Sequence, residues 1–186
     1  EEPFVVSATA SSGLDVIFTS SDENVATCTG TNGSTITIIN VGNCQIFANQ
    51  PGNAIYLPAD EVPQSLTINV KPIDVTVDAG QSKTYGDADP VYTYTVDPAL
   101  VSGDEFSGSL TRITGEDVGL YEIQQGTLSA GSNYSITFYS DNFEIVTKPV
   151  TVTVDPGQSK VYGAADPAYT YSVFPALVGG DSFSGV

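Results

Sequence analysis

The sequence has no histidine, no tryptophan and no methionine. The missing histidine removes Ser–His and Cys–His nucleophilic sites and every imidazole metal ligand. Two cysteines alone cannot complete the tetrahedral shell of a zinc site. No run of about 18 apolar residues occurs, so no helical membrane span is encoded. There is no phosphate-binding Gly loop with its lysine, and no G-x-G-x-x-G opening a helix. Bases are scarce, 5 against 22 acids, for a formal net charge of −17. Such a surface repels phosphate backbones and anionic lipid, which disfavours nucleic acid and membrane surfaces as partners. It also keeps crowded neighbouring molecules from sticking together. A carboxylate pair of the glycosidase kind is the one catalytic device that composition leaves open. Nothing singles out two acids facing a cleft, so the chain is read as a non-enzyme. It starts at EEPFVV, with no leader segment, and is expected to be a piece of a longer secreted chain.

What is present is β-protein composition. Of 186 residues, 40 % are apolar, enough for a packed core. Val, Ile, Thr, Tyr and Ser dominate, punctuated by 18 Gly and 11 Pro. Short β-rich runs bounded by Gly, Asn, Ser or Pro recur throughout: FVVSAT, DVIFT, ATCT, STITII, CQIFAN, QSLTINV, IDVTVD, VYTYTV, GSLTRI, LYEIQQG, YSITFY and NFEIVT. In IDVTVD the alternation places Ile73, Val75 and Val77 on one face and Asp74, Thr76 and Asp78 on the other. TNGS at residues 31–34 predicts a type I′ hairpin turn. No segment sustains a 3.6-residue apolar period. Six to seven short strands per module predict antiparallel β-sandwiches.

An internal repeat organises the chain. Residues 71–109 align without a gap on residues 148–186, a shift of 77, with 28 of 39 positions identical. Tandem duplication at a fixed period signals an array of modules, and this period suits a small independent β domain. The expected modules are residues 1–70, residues 71–147 and residues 148–186, the last only the front half of a second copy. A half module is expected to leave strands unpaired and to stay disordered unless something completes it. The junctions TINVKPIDVTV and FEIVTKPVTVTV pass between modules through Lys-Pro. Proline stiffens such a linker, so the modules are expected to form an extended rod.

The repeated block carries the pattern KP-x-x-VTVD-x-GQSK-x-YG, followed by ADP, LVSGDEFSG, GLYEI and GTLSAGSNYSITF. It resembles the bacterial MBG domain of the YGX type. Residues 1–70 resemble a bacterial Ig-like repeat lacking its first strand, through FVVSATASSGLDVIFTSSDENVATCTG and VGNCQIFANQPGNAIYLPA. Together these look like the giant repetitive cell-surface adhesins of gliding bacteria. The resemblance implies an extracellular, cell-surface setting and a stalk or spacer that projects a binding region for attachment or gliding. Two alternatives stand beside it. One is a module that itself binds glycan or mucin; the other is a strand-exchanging assembly or secretion-system partner. Neighbouring modules, extracellular polysaccharide and a surface-motility or secretion apparatus are the candidate partners.

Few residues offer chemistry. Cys28 and Cys44 enclose a 17-residue loop counting both ends. A bridge there would contribute roughly 3 kcal/mol; the alternative is a pair of buried thiols. In the Ig-like family that the first module resembles, the paired cysteines are expected to bridge. Calcium is the one cofactor considered, with Asp87, Asp89, Asp104 and Glu105 as candidate ligands, and Glu116–Asp117 and Asp22–Glu23 as further acidic turns. Calcium needs six to eight oxygens from several segments. The second copy replaces Asp87 by Ala164 and Glu105 by Ser182, which argues for turns that cap their own backbone instead. Tyr85 and Tyr92 are the candidate sugar-binding aromatics, against a structural role in cross-strand packing. Tyr121 in VGLYEI suits a tyrosine corner. The two QSK-x-YG turns, at residues 81–86 and 158–163, are read as a module-defining structural turn.

Overall fold

The protein is described from a computed structural model covering residues 2–184. The outer limits expected for the first and third modules, Glu1 and Val186, lie outside the described residues. Among the described residues the chain is all-β, with fifteen strands and one short 3-10 turn.

The first 68 residues hold two three-stranded sheets. One has the order β1 (Phe4–Val5), β4 (Thr35–Ile38), β3 (Ala26–Thr29); the other has β2 (Ile17–Ser20), β5 (Gly42–Asn49), β6 (Val62–Ile68). Every pairing is antiparallel. Between the sheets lie Phe18, Val25, Ala26, Ile36, Cys44 and Ile46. The TNGS turn is larger than a two-residue hairpin loop. Thr29 pairs with Thr35, leaving residues 30–34 outside the ladder. The special backbone predicted for Asn-Gly is nonetheless there. Asn32 has φ 56° and Gly33 φ 71°, and a Cβ on Gly33 would lie 2.2 Å from the Phe18 carbonyl oxygen.

Residues 71–146 form a sandwich of two sheets. The three-stranded sheet runs β12 (Tyr134–Tyr139), β7 (Lys71–Val77), β9 (Tyr94–Asp97); the four-stranded sheet runs β10 (Thr111–Arg112), β11 (Gly119–Gln124), β13 (Asn142–Val146), β8 (Ser82–Thr84). The predicted alternation holds: Ile73, Val75 and Val77 are buried and the residues between them are exposed. Val75 and Val77 meet Ile123, Phe143 and Ile145 from the facing sheet, with Leu110 and Leu128 closing the same core. Full burial of side chains of this size stabilises by about 1.5–3 kcal/mol each.

Two ladders depart from the antiparallel expectation. β12 pairs parallel with β7, and β8 pairs parallel with β13. The second parallel pair comes from a strand with no alternating apolar pattern, the QSKT stretch, whose inward residue is a lysine.

Residues 151–174 contribute a hairpin, β14 (Thr151–Val154) with β15 (Tyr171–Phe174), paired antiparallel. These strands therefore pair with each other. They are the period-77 counterparts of β7 and β9. Val152 and Val154 stand 49 % and 67 % exposed where Val75 and Val77 are buried, because no facing sheet covers them among the described residues.

The first junction differs from expectation, whereas at the second Lys148-Pro149 lies between β13 and β14. β6 ends at Ile68 and β7 begins at Lys71, so Asn69 and Val70 link the modules and Pro72 lies inside β7. There Pro72 sits opposite Ser135.

Candidate functional site

The most heavily connected region surrounds the first QSK-x-YG turn, and each residue of that stretch has a distinct task. Gln81 ties the end of β7 to the start of the next strand segment. Its amide nitrogen donates to the carbonyl oxygens of Asp78 (2.9 Å) and Thr93 (3.0 Å), and its carbonyl accepts from the Thr93 amide at 2.8 Å. Gln158 repeats all three bonds on Asp155 and Thr170, at 2.8, 2.9 and 2.8 Å. Ser82 continues the ladder of β8.

Lys83 points inward, its side chain only 4 % exposed. A buried ammonium must be paired, and its partners are Asp89, at 2.7 Å, and Glu116. Asp89 also receives Arg112 in a two-pronged grip, Nε to Oδ2 at 2.7 Å and Nη2 to Oδ1 at 3.0 Å. Arg112 reaches on to Glu116 at 2.6 Å and lies 4.9 Å from the Tyr121 ring centroid. The Tyr92 hydroxyl donates to Asp89 at 2.7 Å, while its ring meets Phe143 edge-on at 5.3 Å. Two cations therefore share two carboxylates at the rim of the core, the geometry in which charge-assisted bonds are strongest.

The titration shifts follow from this packing. The Arg112 guanidinium, then Lys83 and Tyr92, hold the Asp89 carboxyl well below the usual range, against an opposing push from burial. Lys83 lowers Glu116 first, Arg112 second. The bond to Asp89, then the bond to Glu116, raises Lys83. Burial, reinforced by the hydrogen bond to Asp89, pushes Tyr92 up to about 12.

Tyr85 and Gly86 complete the turn and face outward onto residues beyond the sandwich. The Tyr85 ring packs against the core, and its hydroxyl donates to Asp181 at 3.3 Å. The neighbouring Asp181 charge is the main cause of the raised Tyr85 pKa. Gly86 has φ +88°, and a Cβ there would come within 2.4 Å of Val178 Cγ2. The loop at residues 177–181, LVGGD, thus sits on the Tyr-Gly turn of the preceding sandwich. The equivalent loop at residues 100–104, LVSGD, also lies at a junction. Val101, Ser102 and Asp104 line a cleft of about 160 Å³ with Ile38, Asn40, Val41 and Ile68 of the first sheets. Asn133 bridges that junction, accepting from the Val41 amide at 3.1 Å and donating to Asn40 Oδ1 at 3.2 Å. A cleft of this size is below the range of ordinary small-molecule sites.

The candidate calcium ligands do not converge. Asp89 is held by Lys83, Arg112 and Tyr92. Asp104 accepts from the Tyr134 hydroxyl. Asp87 donates its backbone amide to Thr84 in the turn, and Glu105 is exposed. Among the described residues no three acidic or cysteine side chains form a group able to hold a metal. Of the two candidate sugar-binding tyrosines, Tyr92 has its hydroxyl on Asp89 and Tyr85 has its hydroxyl on the next module. Tyr121 donates to the Asp117 carbonyl at 2.8 Å, the back-bond of a tyrosine corner. Cys28 and Cys44 stand as free thiols within one core cluster. Burial first, then Cys44, pushes the Cys28 thiol up.

Sequence reasoning passed over Gln81, Lys83 and Arg112, and read Glu116 only as part of an acidic turn. The signal was available for two of them. Gln81 and Lys83 recur as Gln158 and Lys160, and four of the 5 bases fall into two such repeated pairs, the other being Lys71 with Lys148.

The sequence pattern of the MBG domain (YGX type) matches residues 73–144 and again residues 150–186. The chain belongs to the MBG domain (YGX type) family. Each matched stretch holds a Tyr-Gly pair, Tyr85–Gly86 in the first and Tyr162–Gly163 in the second. These domains occur in repeat-containing surface proteins as non-enzymatic structural modules. No curated protein and no solved structure matches the chain.

Proposed function

We propose that this chain is a stalk segment of a large bacterial cell-surface adhesin, holding a binding region away from the cell during surface attachment or gliding. The observation that carries this reading is the bracing of successive modules. LVGGD sits on Tyr85–Gly86 at one joint, and Asn133 bridges to Asn40 and Val41 at the other. Joints with side-chain contacts transmit orientation, as a free Gly/Ser tether does not. The acidic surface agrees with crowding in an array. Lys83 and Arg112, two of the 5 bases, are turned inward onto Asp89 and Glu116, leaving a still more one-signed exterior that resists association.

Small-angle X-ray scattering on the full chain tests the reading. A rod whose maximum dimension is insensitive to salt is expected. A compact particle, or a flexible chain of beads, would overturn it. A glycan array separates it from direct recognition: saturable binding by the full chain that is lost in Tyr92→Ala, with the fold retained, would move the function from spacer to lectin.

A further inference from the structure

The strongest unassigned feature is the second Tyr-Gly turn. Tyr162 is fully exposed, since the described residues hold no counterpart of the strand and core that pack Tyr85 in its own sandwich, and a Cβ on Gly163 would meet nothing within 4 Å. Its backbone nevertheless matches the first turn. Gly86 and Gly163 have φ 88° and 84°. The residue after each glycine donates its amide three residues back, Asp87 to Thr84 and Ala164 to Val161, both at 3.0 Å. The flanking Gln81 and Gln158 clamps are the same.

The loop that occupies the first turn is equally repeatable. In LVSGD and LVGGD the aspartate amide donates to the valine carbonyl, Asp104 to Val101 and Asp181 to Val178, at 3.0 Å in both. The glycine before each aspartate has nearly one conformation, Gly103 at φ 98° and Gly180 at φ 99°. Both halves of the joint therefore keep one shape, whether the turn is occupied or open. The behaviour of interfaces that change little on docking is to bind as rigid bodies.

We infer that Tyr162–Gly163 is a docking socket for the Leu-Val-x-Gly-Asp loop of another module of this kind. The incoming valine covers the bare face of Gly163, and the incoming carboxylate accepts from the Tyr162 hydroxyl. The occupant is read from Val178 and Asp181 already seated on Tyr85 and Gly86. The contact is heterologous: socket and loop are different surfaces, so it propagates head to tail and does not close into a dimer. This extends beyond the stalk reading, since it says how one module receives the next whatever the array is for.

The full chain is compared with a chain lengthened after Val186 by a copy of residues 110–186, which continues the 77-residue register. Amide and ring NMR signals of Gly163 and Tyr162 are followed. In the lengthened chain they are expected to move to the positions that Gly86 and Tyr85 hold in the original chain. The valine-to-aspartate change made only at the added counterpart of Val178 is expected to shift the Gly163 and Tyr162 signals away from those positions while the completed sandwich stays folded, and no difference between the two lengthened chains overturns the inference. Unchanged Gly163 and Tyr162 signals in a folded lengthened chain overturn the inference. A second arm needs no lengthening. Val178→Asp in the original chain is expected to shift the Gly86 amide and Tyr85 ring signals, with the β7–β13 sandwich intact. If Gly86 and Tyr85 do not respond, the socket assignment fails, independently of any result on rod length.

Discussion

Arg112 holds Asp89 with both prongs of its guanidinium, at 2.7 and 3.0 Å, while Lys83 takes the same carboxylate at 2.7 Å. The two cationic side chains are 6 % and 4 % exposed. Removing the shared carboxylate strands both of them. Asp89→Ala is expected to destabilise the 71–146 sandwich by about 3 kcal/mol, the lower end of the range for breaking a buried pair, because Asp89 itself is one-third open to water. Urea denaturation checks this. A loss below about 0.5 kcal/mol would mean that the cluster behaves as an ordinary surface pair.

The same cluster sets the pH range of stability at both ends. Asp89 titrates lower folded than unfolded, where a free aspartate sits near ~3.9. Its contribution is therefore complete above about pH 4 and is lost as the pH falls through the depressed value. Tyr92 titrates higher folded, at about 12, against ~10 unfolded. Its contribution is complete below about pH 10 and disappears as the pH rises toward its folded value. Tyr92→Phe is expected to flatten the alkaline limb of a pH-stability curve and to weaken the acid limb only slightly, since Arg112 and Lys83 still hold Asp89 down. An unchanged alkaline limb would assign that limb to other tyrosines.

The repeat offers an internal control on the glutamine clamp. Gln81→Ala removes three hydrogen bonds that join two strand segments, and a loss of about 1–2 kcal/mol is expected. Gln158→Ala removes the same bonds from the β14–β15 hairpin alone. Hydrogen exchange should therefore show faster opening around Thr93 in the first variant and around Thr170 in the second, without crossover. Opening that spreads to both regions from either change would show that the hairpin and the sandwich unfold as one unit.

Legibility in the sequence followed the source of each element's order. β7 was readable because Ile73, Val75 and Val77 alternate with polar residues, and the period-2 pattern is what burial on one face requires. The Asn32–Gly33 turn was readable because its positive φ values suit few other residues. β8 was not readable. Its inward residue is Lys83, whose burial makes sense only once Arg112, Asp89 and Glu116, distant in sequence, are brought beside it. The parallel ladders were hidden for a related reason, since neighbouring partners in a sheet leave no local signature when the connection between them is long. The repeat itself said that Tyr85-Gly86 is a structural turn. It could not say that the turn's outer face belongs to the next module, because Val178 and Asp181 lie more than 90 positions away.

The two cysteines admit a direct test. They stand as thiols in one core cluster, and Cys28 is harder to ionise than a free thiol, so slow alkylation of the folded, reduced chain is expected. Under an oxidising buffer the resemblance of the first module to bridged Ig-like repeats calls for a Cys28–Cys44 disulfide. It would add about 3 kcal/mol to that module by the chain-entropy model. Thiol counting before and after oxidation, with denaturation of both forms, checks the expectation. Two titratable thiols persisting after oxidation of the unfolded and refolded chain would remove the bridge from the account.

Gly86 and Gly163 separate backbone strain from joint contact within one molecule. Both sit at positive φ, so alanine strains the backbone at either position by roughly 1 kcal/mol. Only at Gly86 would the new methyl group run into Val178. Gly163→Ala should therefore disturb its own hairpin and nothing else. Gly86→Ala should in addition release the LVGGD loop, breaking the Tyr85–Asp181 hydrogen bond and increasing the independent motion of the β14–β15 hairpin relative to the 71–146 sandwich. Residual dipolar couplings, fitted separately to the two units, measure that motion. Equal alignment tensors for the two units in Gly86→Ala would mean that the linker at residues 147–150 holds the joint by itself, and that the Tyr-Gly socket contributes no stiffness.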